Sequence, residues 1–463
     1  MHHLRVSACR PFDAMRCGIL AVRGQSPPWP LSTWPTSGNA GGFHGRYSLH
    51  PARADLFHSL LAVASGVAWL ALGLAVGRAA EPAPPAQRPP RPERSAAARA
   101  ESVWQLREAY RRPPAEWPAP HVDPAIEWRE IGLVPEVVHP ERNPYNAAKA
   151  ELGRLLFFDA RLSAAGKMAC VSCHEPNLGW ADGRAVSQPH GRSPERNTPT
   201  IRNVAFQTHL FWDGRAGSLE QQVEEAVTNP AEMAAHRDAV VGLLARSPGY
   251  RQLFADAFAG RPPSFAAVVE AVACFERTIV SGRSRFDRFL RGDAAALADA
   301  EILGLDLFRR DARCMNCHHG PTFSDGRFHD LGLSFYGRSN EDLGRHAVTG
   351  AAADRGRFRT PTLRDVTRTT PLMHTGMFEL SGVLNMYNAG MVTLKRQPYQ
   401  RDDPAFPVKS PHLKPLGLNR QDLADLAAFL GALEEPRQRV LPPSLPAIEG
   451  EPVTARRQPP AGR

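Results

Sequence analysis

The chain has 463 residues, of which 43% are hydrophobic and 22% charged, and its formal net charge at pH 7 is +9. This length and composition allow two ordinary domains with cores of their own, and they exclude a small scaffold held together by disulfides. Much of the positive charge is arginine in proline- and alanine-rich segments. We therefore attribute the charge to biased composition and expect no nucleic-acid partner.

Residues 1–80 form a predicted leader. An unbroken apolar run, LLAVASGVAWLALGLAVG, covers residues 60–77, with Arg53 before it and Arg78 directly after it. Such a run is typical of an export signal or of a short membrane anchor, and no clean A-x-A cleavage site decides between the two. We expect export to the periplasm and leave open an anchor in the inner membrane formed by residues 60–77.

Two segments of different composition flank the middle of the chain. Residues 81–125 and 436–463 are rich in proline, alanine and arginine and show no apolar periodicity. We predict a linker without a fold for the first segment and a disordered tail for the second.

Four of the seven cysteines occur in two C-x-x-C-H strings. The strings contain Cys170, Cys173 and His174 in ACVSCHEP, and Cys314, Cys317 and His318 in RCMNCHHG. Two thiols one helical turn apart can form thioethers with a haem, and the adjoining histidine can then ligate the iron. A zinc ribbon needs its two pairs within about 15 to 20 residues, and a thioredoxin-like pair needs no histidine. The strings therefore predict two covalently attached haem c groups.

The two strings begin two copies of one longer pattern. The helical segment AELGRLLFFDARLS before the first string corresponds to EILGLDLFRRDA before the second. Further along, NTPTIRNV corresponds to RTPTLRDV, and FWDGRAGSLEQQVEEAV corresponds to MHTGMFELSGVLNMY. We predict a mainly α fold of two cytochrome c-like haem domains, residues 126–290 and 291–435, related by internal duplication, with long connecting loops and little β structure.

The repeat also predicts a difference between the two irons. Aligning Leu219 with Leu380 brings Ala226 opposite Tyr387. If this helix faces the distal side of each haem, the second copy offers an iron ligand and the first offers only a methyl group. The first iron would then have an exchangeable position for peroxide, and the second would suit electron transfer. The alternative is that both residues only pack in a core.

Cleavage of an O–O bond needs a group that moves a proton within a site sheltered from bulk water. Ser218 is predicted to cap a helix that carries Gln222, and Glu232 follows that helix. We take Glu232 as the candidate general acid–base and Gln222 as the group that positions peroxide or water. The ordinary alternative for Glu232 is a solvated surface charge.

From about Pro135 to Glu435 the chain resembles the bacterial di-haem cytochrome c peroxidase and MauG family. The segments that carry the resemblance are, in order, ELGRLLFFDARLS, CVSCHEP, RNTPTIRNV, FWDGRAGSLEQQ, CMNCHHGP, FRTPTLRDV and PLMHTGMF. The resemblance implies a peroxidase that reduces hydrogen peroxide to water with electrons from a small cytochrome c, a cupredoxin or a quinol. The C-terminal haem would pass these electrons to the N-terminal haem. A homodimer is one option for the assembly.

The resemblance also implies roles for single residues. Trp212 would lie between the haems as an electron bridge, and Gln222 and Glu232 would occupy the peroxide pocket. His190 would cap the first iron at rest and leave when the other haem is reduced, as its loop rich in Gly, Pro and Ser allows. An interdomain calcium ion would be held by Asn197 and by the backbone oxygens of Thr369 and Pro371.

The second domain departs from many family peroxidases, which place a methionine on the far side of that haem. The aligned residue here is Tyr387, as in MauG, and a small change of register would make Met391 the ligand instead. Tyr387 favours a MauG-like enzyme that oxidises tryptophan or tyrosine of a partner protein, whereas His190 favours the peroxidase. A non-enzymatic electron carrier or redox sensor would need two six-coordinate irons, which Ala226 disfavours.

Overall fold

The computed structural model describes residues 88–186 and 196–450. The α-helices of this part are α1 (Ala96–Tyr110), α2 (Ala147–Phe158), α3 (Leu219–Thr228), α4 (Arg237–Ala245), α5 (Pro248–Ala257), α6 (Phe265–Glu276), α7 (Arg285–Leu290), α8 (Asp299–Arg309), α9 (His346–Thr349), α10 (Leu380–Asn388) and α11 (Arg420–Ala432). Two short strands, β1 (Phe328–Asp330) and β2 (Arg357–Arg359), form an antiparallel pair. The prediction of a mainly α fold with little β structure is confirmed.

Apolar side chains gather in two cores. The first core contains buried residues between Leu152 and Ile279, and the second contains buried residues between Phe286 and Leu433. Ile131 also belongs to the second core, although the sequence placed it in the first domain. The second core thus begins before the predicted boundary at residue 291, because Ser284 caps α7 and turns Phe286 inward.

The duplication is visible in how the helices cross. In the first core α2 packs against α6, and in the second α8 packs against α11. A Cβ on Gly153 would lie 1.9 Å from the carbonyl oxygen of Ala271, and one on Gly304 would lie 2.0 Å from that of Asp425. Only glycine allows backbones to approach so closely. Since Gly153 and Gly304 match in the two repeats, both copies use the same helix crossing.

Residues 88–125 differ from the linker that their composition predicted. Helix α1 is capped by Ser95, and Arg99 forms a 2.8 Å ion pair with Asp425 of α11. Arg91 pairs with Asp422 at 2.6 Å, and the Tyr110 side chain is 1% exposed within the second core. This segment is therefore folded onto the second core, because its arginines meet carboxylates that lie far away in sequence.

The beginning of the predicted tail is also packed. Ile448 is buried in the first core, and the Ser247 hydroxyl donates to the carbonyl oxygen of Ala447 at 2.6 Å. Arg161 donates to the carbonyl oxygen of Pro446 at 3.0 Å. Residues 436–450 are thus part of the fold and not a disordered tail, since backbone oxygens and one apolar side chain anchor them.

Across residues 88–186 and 196–450, we find no helix with the length and apolar character needed to cross a bilayer. The predicted leader, including the apolar run at residues 60–77, lies outside the described residues.

Candidate functional site

The first C-x-x-C-H string forms a tight 3₁₀ turn, Cys170–Ser172. The amides of Cys173 and His174 both donate to the carbonyl oxygen of Cys170, at 3.1 and 2.9 Å. The His174 Nδ1 lies 3.2 Å from the carbonyl oxygen of Trp180. Donation from Nδ1 to a backbone oxygen fixes the ring and leaves Nε2 for a metal.

The second string repeats this geometry. The amides of Cys317 and His318 donate to the carbonyl oxygen of Cys314, at 3.2 and 2.8 Å. The His318 Nδ1 lies 2.9 Å from the carbonyl oxygen of Phe323. Burial lowers the pKa of both His174 and His318, which favours the neutral imidazole that iron ligation needs. All four thiols are free of disulfides.

A cavity opens beside the second string. Cys314, Cys317 and His318 line one part of it, and Leu384 and Tyr387 of α10 line another. Two thiols and an imidazole within a largely apolar enclosure are the donor set that a covalent haem requires. Burial raises the pKa of Tyr387.

The two candidate ligands of the second iron lie in different places. Tyr387 lines the cavity, whereas Met391 is buried but is not among the lining residues. Met391 follows the end of α10 and has a φ of 60°, which turns the chain away from the helix axis. The geometry favours Tyr387 of the two, and ligation itself stays a prediction.

Both repeats lead into the helices α3 and α10 in the same way. Phe211 and Met373 have φ values of 65° and 70°, and each is followed by a turn that returns to form an isolated bridge. The helices α3 and α10 then begin at Leu219 and Leu380, the two residues aligned in the sequence. Ala226 therefore occupies in α3 the position that Tyr387 occupies in α10.

Glu232 lies on the loop after α3 and is partly buried. Its Oε1 accepts a hydrogen bond from the Asn229 side chain at 3.0 Å. Burial raises the pKa of Glu232, and Arg215 and the Asn229 bond oppose that rise. Charge on Glu232 also acts on both Cys170 and Cys173, so the carboxyl group is near the first attachment turn. These surroundings differ from those of a solvated surface charge.

Gln222 lies one turn before Ala226 on α3, so the two residues share a helix face. The helix is capped as expected, with the Ser218 hydroxyl accepting from the Gln221 amide at 3.2 Å. The Gln221 side chain accepts a hydrogen bond from the Gly217 amide at 2.9 Å, which ties the residue before the cap to the first turn of the helix.

Trp212 belongs to the first repeat but lines the cavity of the second. Its Nε1 donates to the carbonyl oxygen of Asn197 at 2.8 Å, and its carbonyl oxygen accepts from the Arg359 amide at 2.9 Å. The indole is 8% exposed. These contacts hold the ring rigidly where the two repeats meet.

The predicted calcium ligands are partly brought together. Asn197 is tied to the segment that contains Thr369 and Pro371, because its amide donates to the His374 carbonyl oxygen at 2.8 Å. The Asn197 Nδ2 donates to the carbonyl oxygen of Arg184 at 2.7 Å, which leaves Oδ1 as an acceptor. Calcium binding stays a prediction. His190 lies outside the described residues, so its predicted role also stays a prediction.

Three residues were missed by the sequence reasoning. His374 is buried at the repeat position equivalent to Trp212, and Arg359 is buried at the position equivalent to Asn197. The repeat alignment could have identified both. Glu276 is 3% exposed, burial raises its pKa to about 8, and its charge acts on Cys170. Nothing in its helical pattern distinguishes it from a surface glutamate.

Comparison with known proteins places this geometry in a family. A sequence description of the di-haem cytochrome c peroxidases matches residues 147–295. The methylamine utilization protein MauG of Methylorubrum extorquens is 40% identical over 315 residues, covering 67% of this chain and 85% of that protein. Cytochrome-c peroxidase IdrP1 of Denitromonas iodatirespirans is 37% identical over 334 residues, covering 65% of this chain and 86% of that protein.

Among solved structures, a MauG-like protein associated with microbial copper homeostasis is similar with a TM-score of 0.59 and 32% identity. The match covers 67% of this chain and 96% of that chain. The family implies hydrogen peroxide and a cytochrome or another redox partner as reactants. The chain belongs to the di-haem cytochrome c peroxidase and MauG family, and it is a peroxidase-type oxidoreductase with two haem cofactors.

Proposed function

We propose that this protein is a periplasmic peroxidase that reduces hydrogen peroxide to water at its N-terminal haem, with electrons received at its C-terminal haem. The observation that carries the proposal is the difference between Ala226 and Tyr387 at equivalent positions of α3 and α10. A small side chain leaves room for peroxide only in the first repeat. The partly buried Glu232 supports the same assignment, since it lies near the first attachment turn.

The two C-x-x-C-H strings are assigned to the two haem groups. Cys170, Cys173 and His174 would hold the first haem. In the second repeat Cys314, Cys317 and His318 would do the same. When bound, the haem groups would supply redox-active iron. Haem c attachment takes place outside the cytoplasm, which agrees with the predicted export signal.

Glu232 is assigned the proton transfer. Because burial raises the pKa of this carboxyl, it can take a proton from the incoming peroxide and return it to the departing oxygen. The amide of Gln222, on the same helix face as Ala226, is suited to orienting the peroxide or the product water. Partial burial keeps bulk water from competing for the proton.

Trp212 is assigned the electron path between the repeats. Its ring lines the second cavity although its segment belongs to the first repeat, which supports the assignment. His190 would be the removable ligand of the first iron. Calcium held by Asn197, Thr369 and Pro371 would stiffen the same junction. A small cytochrome c, a cupredoxin or a quinol would supply the electrons, and a homodimer is the assembly we consider.

A MauG-like enzyme that oxidises tryptophan or tyrosine of a partner protein is the second candidate. Tyr387 on the cavity wall favours it, since a tyrosine ligand distinguishes MauG within the resemblance. The two candidates differ in the redox state that reacts with peroxide. A peroxidase with a removable His190 should react only after one-electron reduction, and the second candidate should react when fully oxidised.

The deciding experiment mixes hydrogen peroxide with fully oxidised and with half-reduced holoprotein and follows peroxide loss by stopped flow. We expect rapid loss only in the half-reduced sample, and multiple turnovers once a reduced small cytochrome c is added. Equal reactivity in the oxidised sample would favour the second candidate. No peroxide loss in either sample would overturn both.

A further inference from the structure

Arg359 is a buried cation at the junction of the two repeats. It ends strand β2 and its side chain is 4% exposed. Its Nε donates to the Phe211 carbonyl oxygen at 3.2 Å, and its Nη1 donates to the Thr360 carbonyl oxygen at 3.3 Å. Within the described residues its Nη2 makes no hydrogen bond. Burial lowers the pKa of Arg359 to about 10.

The other buried arginines of the described chain each meet a carboxylate. Arg364 pairs with Asp287 at 3.0 Å, Arg277 pairs with Glu220 at 2.8 Å, and Arg309 pairs with Glu130 at 2.5 Å.

Arg359 forms no ion pair with any carboxylate of residues 88–186 or 196–450. A buried charge without a counter-ion is strongly unfavourable, so an anion is expected at this place.

The cavity beside Arg359 indicates which anion this is. Arg359 lines the same cavity as Cys314, Cys317 and His318. A haem attached there carries two propionate groups at the edge opposite its thioether bonds. An ionised carboxylate is the partner whose geometry matches the free side of a guanidinium.

We propose that Arg359 binds a propionate of the second haem and, through its backbone bond to Trp212, joins that haem to the electron bridge. The inference rests on the proposed function in one respect, namely that a haem occupies the second cavity. The first repeat has Asn197 in place of Arg359, so the two haem sites differ in charge. A buried cation near the second iron stabilises its reduced form and raises its reduction potential.

The test compares Arg359→Gln with Arg357→Gln in the full-length holoprotein. Arg357 lies on the same strand, but its side chain is 38% exposed and faces Asp354 at 3.8 Å. Spectroelectrochemical titration gives the reduction equilibrium constant of each haem. We expect Arg359→Gln to lower the constant of the second haem about tenfold, which corresponds to a reduction potential lower by about 59 mV for one electron. The first haem should be much less affected. Equal values in the two variants would overturn the proposal.

A second pair of variants, Arg359→Lys and Arg357→Lys, covers the case in which Arg359→Gln does not fold or incorporate haem. Lysine keeps the positive charge but lacks the planar guanidinium group. Arg359→Lys should therefore lower the reduction equilibrium constant of the second haem about twofold to threefold relative to Arg357→Lys. No difference between the lysine variants would also overturn the proposal. Haem content per chain separates the two levels of failure. Fewer than two haems in the unmodified protein would contradict the proposed function, whereas two haems with unchanged potentials would contradict only the role of Arg359.

Discussion

The indole of Trp212 meets the imidazole of His374 at a centroid distance of 6.2 Å and an interplanar angle of 65°. The two side chains occupy equivalent positions of the two repeats. His374 in turn stacks on Phe358 at 3.5 Å and 14°. Burial lowers the pKa of His374 to about 4, so its imidazole is neutral at pH 7. An uncharged row of three rings therefore runs from Trp212 along the second cavity.

Replacing Trp212 by phenylalanine should slow electron transfer between the haems. The change removes the 2.8 Å hydrogen bond from Nε1 to the Asn197 carbonyl oxygen and replaces the indole by a smaller ring where the two repeats meet. We expect peroxide turnover to fall at least about tenfold, since small displacements of positioned groups have large effects on rate. Stopped-flow spectroscopy would follow each haem. Trp104→Phe, at a residue that is 64% exposed, is the control and should leave turnover unchanged.

Removing the carboxylate of Glu232 should impair the reaction with peroxide. Glu232→Gln keeps the size of the side chain but cannot carry the proton, and general acid–base groups contribute about 10²- to 10⁴-fold. We expect kcat/KM for hydrogen peroxide to fall within that range while reduction of the second haem by the donor is unchanged. Glu224→Gln, at a more exposed glutamate of the preceding helix α3, should behave as the unmodified protein. An equal loss of activity in both variants would contradict a specific role of Glu232.

The pH dependence should report the surroundings of Glu232. As the group that accepts a proton from peroxide, Glu232 must be ionised, so kcat/KM rises as the pH passes its pKa. Burial raises that pKa above 4.5, and the charge of Arg215 opposes the rise. Arg215→Gln should therefore raise the pKa further and move the ascending limb to higher pH, whereas Arg215→Lys should leave it near its original position. A limb that moves to lower pH would contradict the assignment.

The helix crossing at Gly304 can be tested by stability. A Cβ there would lie 2.0 Å from a backbone oxygen of α11, so α8 and α11 must separate to admit it. We expect Gly304→Ala to destabilise the fold by about 1–3 kcal/mol or more, as overpacked cores do. Thermal unfolding of the holoprotein would measure this. Gly431→Ala, which meets no atom within 4 Å, should be neutral or slightly stabilising.

Local patterns were enough to predict the two C-x-x-C-H turns and the equivalent helices of the two repeats. The attachment turns at Cys170 and Cys314 depend on residues next to one another in sequence, and the repeat alignment correctly matched Leu219 with Leu380 as helix starts. The match of Ala226 with Tyr387 followed from this alignment alone. Such features need no knowledge of distant contacts.

Features that depend on distant partners were not predictable in the same way. Arginine-rich composition suggested an unfolded linker, but Arg91 and Asp422 pair across most of the chain. Whether a cation such as Arg359 lacks a carboxylate partner depends on the residues that surround it, and only the tertiary structure determines those residues. For the same reason the sequence left Met391 open as an alternative to Tyr387, whereas the end of α10 separates the two residues.

Only the first iron should open to peroxide, and electron paramagnetic resonance of the ferric haems in oxidised and half-reduced protein can show this. We expect half-reduction to make the N-terminal haem high-spin and able to bind cyanide. In the oxidised protein we expect the C-terminal haem to stay six-coordinate until Tyr387 is replaced by phenylalanine. An N-terminal haem that remains low-spin and does not bind cyanide in either redox state would show that this iron does not open.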